Sequence, residues 1–99
     1  MIIKDNMAVI CRTREEQEIY MEIASKEGWR DILGGNIEIK PNLPMNYATG
    51  YYSDHYYPNG VSHGKADKKY PSHLTVVEAS DLFRNQLIAR RVKHEKGTT

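Results

Sequence analysis

The sequence predicts a small α+β domain, and three observations carry that expectation. Met7-Ala8-Val9-Ile10-Cys11 is a short apolar run with β-branched residues at its centre, which reads as a buried strand. Thr13-Arg14-Glu15-Glu16 and Thr75-Val76-Val77-Glu78 both match the Thr-x-x-Glu capping box that opens a helix. Between them lies a segment rich in aromatic and turn residues, suited to short strands and loops. The expected order is strand, helix, one or two short strands, a long tyrosine-rich segment and a C-terminal helix. Both capped helices should pack on one face of a small, mainly antiparallel sheet.

Each element has its own justification. In the first capping box the Thr13 hydroxyl accepts from the Glu16 amide, and the Glu16 carboxylate reaches back to the Thr13 amide. Glu15, Glu16 and Glu18 also suit the positive end of the helix dipole. The helix should cover residues 14–27 and stop at Gly28, a natural left-handed cap. Its apolar stripe is Ile19, Tyr20, Ile23 and Ala24, with Met21 off the stripe and exposed. Trp29 should fold back on the last turn. Leu33-Gly34-Gly35 is a turn, and residues 36–40 alternate apolar and polar like a half-buried strand.

Pro41 and Pro44 break regular structure, and residues 47–52 suit a further strand. Residues 54–72, which include the turn signal Tyr57-Pro58-Asn59-Gly60, read as a long loop or a loose hairpin. A structureless loop of that length is uncommon in a compact domain and often functional. From Thr75 the chain should be helical to His94, with Val76, Ala79, Phe83 and Leu87 on one face. Ile88 and Val92 point elsewhere and offer a homodimer contact. The domain is thus one unit over residues 1–99, divided into 7–40, 41–72 and 75–94.

Composition bounds the function. The 99 residues carry a net charge of +1 and one cysteine, which suits one modest core and no internal disulfide, as expected of a cytoplasmic protein. No run of apolar residues is long enough to span a membrane, and no signal-peptide core opens the chain. The neutral total conceals two surfaces. Residues 12–31 carry a net charge of −2, while Arg84, Arg90, Arg91, Lys93 and Lys96 make the end of the last helix basic.

Residues 8–11, then Thr13, Glu15, Glu16, Ala24, Gly28 and Trp29, followed by a glycine turn, resemble the opening of small phage- and prophage-encoded α+β accessory proteins. That resemblance implies a cytoplasmic accessory protein, an inhibitor of a host defence or replication protein. It brings no catalytic residue with it, and the tyrosine-rich middle departs from it.

The chemistry-bearing candidates sit mostly in that middle. Six of the seven tyrosines fall between Tyr47 and Tyr70. His55, His63 and His73, with Asp54 and Asp67 nearby, match no zinc-site spacing, so no metal is expected. Cys11 ends a strand just ahead of a helix, where a thiolate would be favoured, but no protease-like signature surrounds it and a small core residue is the better reading. Glu18 and Glu22 read as a solvated acidic helix face. No phosphate-binding glycine loop and no cofactor motif is present.

The expectation is therefore a non-enzymatic protein-binding module. Tyr47, Tyr51, Tyr52, Asp54, His55, Tyr56, Tyr57 and His63 form its contact surface, with Lys65, Lys68 and Lys69 at the rim. Tyr47, Tyr51 and Tyr70 have a competing role as core residues. The alternative function uses the same tyrosines to stack on a nucleotide or single-stranded nucleic acid while the lysines meet phosphate.

Overall fold

A computed structural model describes residues 1–40, 42–52, 55–67, 69 and 72–97. The chain runs β1 (Met7–Cys11), α1 (Arg14–Lys26), β2 (Arg30–Asp31), β3 (Met45–Tyr52), β4 (His55–Lys65), β5 (Thr75–Glu78), α2 (Ala79–Leu82) and α3 (Arg84–Gly97). Among the described residues the strands form one five-stranded sheet in the order β2-β4-β3-β1-β5. The fold is α+β. The sheet is mixed: β1–β3 and β3–β4 are antiparallel, while β1–β5 and β2–β4 are parallel.

The apolar run of β1 buries both of its faces, which is why it holds the inner position between β3 and β5. Met7, Val9 and Cys11 enter the main core, and Ala8 packs with Ala48 and Leu74 on the other side. Thr13 caps α1 as its sequence requires, with its hydroxyl accepting from the Glu16 amide at 3.2 Å. The Glu16 carboxylate, however, accepts from the Arg12 amide at 2.8 Å, one residue earlier than the capping box predicts. The exit is a two-bond turn around Gly28 at φ 90°: Trp29 N–H donates to Ala24 O and Gly28 N–H to Ser25 O. Trp29 is thereby folded back and buried.

Tyr20 organises the core. Its ring stacks on Tyr47 of β3 at 4.7 Å and meets Phe83 edge-on at 6.3 Å. One side chain of α1 thus touches both the sheet and the α2–α3 junction, so the helices share a face of the sheet. Met21, expected outside, is half-buried against this core, its unbranched side chain reaching in from beside the stripe.

Residues 36–40 form no strand. Ile37 is buried as the alternation predicts, but side chains satisfy the backbone in place of a neighbouring strand. The Gln17 amide donates to Lys40 O and Leu43 O and accepts from Lys40 N–H, while the Tyr47 hydroxyl donates to Glu38 O. Gln17 is itself almost wholly buried, and these bonds account for it.

Residues 55–65 are the strand β4, which forms a long hairpin with β3. Pairing runs from Met45↔Lys65 to Thr49↔Val61, then shifts to Tyr51↔Tyr56 and Tyr52↔His55. Across the shift β3 advances by two residues and β4 by five. Tyr57-Pro58-Asn59-Gly60 fills the difference, so its turn chemistry makes a bulge inside β4 and does not reverse the chain. Gly50 at φ 88° and Asn59 at φ 59° supply the left-handed positions. Gly60 has no room for a side chain, because a Cβ there would meet Tyr57 Cβ at 2.7 Å and Ile32 at 3.0 Å.

The second capping box also departs from expectation. Residues 75–78 are the strand β5, parallel to β1 in the register Met7↔Thr75 to Ile10↔Glu78. The helix begins only at Ala79, behind Glu78, which caps it without a side-chain hydrogen bond, and it breaks at Phe83. Val76 leaves the expected apolar face and lies 54% exposed, whereas Ala79 and Phe83 remain in the core. Ile88 and Val92 are exposed, as the sequence pattern implies.

Candidate functional site

The bulge divides the β3–β4 hairpin into an inner part, from which Met45, Tyr47 and Val61 enter the core, and an outer end. On the outer end His55, Tyr56, Pro58 and Asn59 are exposed and Tyr57 is half-exposed. Tyr51 and Tyr52 take the register positions opposite Tyr56 and His55. The His55 and Tyr57 rings lie 6.3 Å apart on one side of the strand.

Tyr56 is the best-defined member of the group. The residue is 49% exposed, yet its hydroxyl donates to Asp5 Oδ2 at 2.7 Å. The ring also lies across the backbone of Gly50: a Cβ at Gly50 would come within 3.3 Å of Tyr56 Cε2 and would collide with the Asp5 carboxylate. Gly50 therefore lets a tyrosine from the opposite strand and an aspartate from the N-terminal segment meet over it. That segment is held in turn. Glu27 accepts from the Ile2 and Ile3 amides at 2.8 and 3.0 Å, and the Thr49 hydroxyl donates to Lys4 O and accepts from Met7 N–H.

The other candidates do not converge on this end. Tyr47 is fully buried, stacked on Tyr20, and burial pushes its hydroxyl far above the ordinary tyrosine range. It belongs to the core and leaves the contact surface. His63 sits opposite Tyr47, on the side of the sheet that the helices cover, with Nδ1 3.5 Å from Asp31 Oδ1. Asp31 is fixed by the Leu33 amide, which donates to Oδ2 at 2.9 Å. Lys65 and Lys69 are exposed, but Lys65 pairs with Met45 at the far end of the hairpin. The β3 partners of Tyr56 and Lys65, Tyr51 and Met45, are six residues apart, which puts Lys65 about 20 Å along the sheet from Tyr56. Lys65 therefore does not border the tyrosines. Asp54 and Lys68, and likewise Tyr70, lie outside the described residues.

The same register separates His55 from His63 by about 17 Å, since their partners Tyr52 and Tyr47 are five residues apart on β3. Among the described residues no three histidine, cysteine or acidic side chains come together as metal ligands. Cys11 is fully buried, and burial, with Glu16 and Glu78 adding to it, raises its thiol well above the ordinary range. Cys11 packs in the main core as a small apolar residue.

Asp5 and Asp31 are the residues that sequence reasoning missed. Asp5 lies 51 positions from the tyrosine it holds, and neither acid stands in a local pattern. The arrangement at the hairpin end offers aromatic area, ring and hydroxyl polarity and a fixed carboxylate. It can stack and hydrogen-bond. No helix among the described residues is long and apolar enough to cross a membrane. No protein-family model, curated protein or solved structure is found to match the chain.

Proposed function

We propose that the protein is a non-enzymatic binding module, and that the outer end of the β3–β4 hairpin is the surface that meets a protein partner. The observation that carries this reading is Tyr56: half-exposed, yet held by Asp5 and seated on Gly50. A large amphipathic side chain offered in one orientation binds with little loss of rotamer freedom, and tyrosine is the residue most used for that purpose. His55, Tyr57 and the exposed Pro58 and Asn59 extend the surface around it. With the likeness of residues 8–29 to phage-encoded accessory proteins, the function is inhibition of a host protein in the host cytoplasm by occlusion of its working surface.

Affinity capture from host lysate, with and without nuclease, tests this. The expected result is a protein partner retained after nuclease treatment and lost when both His55 and Tyr56 are replaced by alanine. Retention by that variant would remove the hairpin end as the contact. Capture that disappears with nuclease, and weakens steeply with salt, would instead support the nucleic-acid alternative. The separation of Lys65 from the tyrosines favours the protein reading, because stacking and a phosphate contact at Lys65 would fall on different ends of one strand.

A further inference from the structure

The two edges of the sheet are built differently. One edge carries β2, two residues long and both charged, and beyond it the charged or titratable His63 and Lys65 of β4. Short strands and charges are the usual protection of a sheet edge. The other edge is β5, Thr75-Val76-Val77-Glu78, with no proline, no lysine and no bulge among its pairs with β1. Its single charged side chain is already neutralised: Arg12 donates to both Glu78 oxygens, at 2.9 and 3.0 Å.

The register decides which backbone groups face outward. Thr75 N–H donates to Asn6 O at 2.9 Å, so Thr75 turns its peptide groups toward β1, and Val77 does the same by alternation. Val76 lies between them and directs its own N–H and C=O away from the sheet. Its side chain is 54% exposed on the face that the helices leave free. Among the described residues no backbone hydrogen bond outside the sheet and helices reaches Val76.

We propose that β5 pairs antiparallel with β5 of a second copy of this chain, on a two-fold axis through Val76, joining two five-stranded sheets into one. On that axis Val76 exchanges both backbone hydrogen bonds with Val76 of the second copy, and the two exposed valines meet on the free face. Thr75 stands opposite Val77, and Glu78 opposite Leu74. No like charges oppose each other, and the Arg12–Glu78 pairs leave the seam without net charge. A second copy fits this edge because the strand complements itself. The contact is separate from the hairpin end, so it stands whether or not that end binds a partner.

Sedimentation and cysteine cross-linking test the proposal. The wild-type chain should sediment at twice its 11.4 kDa mass. Val76→Lys, which puts two like charges on the axis, should halve that mass with unchanged circular dichroism, since the side chain it replaces is exposed. Ile88→Lys, on the exposed stripe of α3, should leave the dimer intact. Paired residues on the axis have Cα atoms about 5.5 Å apart, within disulfide reach. Val76→Cys should therefore oxidise to a covalent dimer faster than Leu33→Cys, although Leu33 is 90% exposed and the natural Cys11 is buried in both. A wild-type monomer at every concentration would overturn the proposal. So would a dimer that survives Val76→Lys, one abolished by Ile88→Lys, or equal cross-linking at the two cysteine positions.

Discussion

Residues 13–16 and 75–78 carry the same Thr-x-x-Glu pattern and fold in opposite ways: the first starts α1, the second is β5. The intervening residues decide. Arg14 and Glu15 are good helix formers with nothing to bury, so capping settles the outcome. Val76 and Val77 are β-branched, and the inner strand β1 offers them a parallel ladder. The tertiary offer outweighs the local one, and the helix waits until Ala79. The two glutamates still meet. Glu16 accepts from the Arg12 amide and Glu78 takes the Arg12 guanidinium, so one arginine ties the start of α1 to the end of β5.

The largest expected effect breaks β5 itself. Proline at position 77 removes an N–H that turns toward β1, whereas proline at position 76 removes one that turns outward. Val77→Pro should cost about 2 kcal/mol or more, since it leaves a buried carbonyl of β1 unpaired. Val76→Pro, measured in dilute solution, should cost less than half as much, because an edge strand tolerates proline where its N–H faces outward. Urea unfolding followed by circular dichroism checks both. Equal losses would mean that the alternation assigned to β5 is wrong.

A smaller effect sharpens the contrast between the two threonines. Thr13 accepts from the Glu16 amide, so Thr13→Ala should cost about 1 kcal/mol. Thr75 is exposed on a strand and caps nothing, so Thr75→Ala should stay within about 0.5 kcal/mol. The same denaturation measurement applies. A full capping loss at Thr75 would place a helix start there after all.

These contrasts also mark what was legible in the sequence. β1 and α1 could be read because their signals are local: an apolar run, a capping threonine, Gly28 and Trp29. Residues 36–40 were half legible. Ile37 is buried as its alternation requires, but the partners of that backbone, Gln17 and Tyr47, come from other elements. The turn residues 57–60 were recognised by type and misplaced by role, since a bulge within a strand uses the same left-handed positions as a turn. At the hairpin end the aromatic density was visible, while Asp5, which fixes Tyr56, was not. Nearness in sequence puts Lys65 beside the tyrosines, but the strand carries it to the other end of the hairpin. Tyr47 was divided between surface and core, and its pairing with Val9 on the helix-covered face decides for the core.

The smallest expected effect concerns the arginine that joins the two motifs. The Arg12 hydrogen bonds hold the Glu78 carboxyl below its ordinary value of 4.5, with a lesser push from the positive charge itself. A carboxyl lowered in the folded state stabilises the fold above its unfolded value, and that contribution disappears as pH falls through the folded value. Glu78→Gln should therefore lower the urea midpoint slightly at pH 7, and the gap to wild type should close as pH drops below about 4.5. Both partners are well exposed, with side chains 57% and 37% accessible, so the gap should also narrow in high salt. A gap that persists at pH 3 would mean that Glu78 acts through its packing on β5 and the start of α2. The ion pair would then be a consequence of the strand, and Arg12 would owe its position to Glu16 alone.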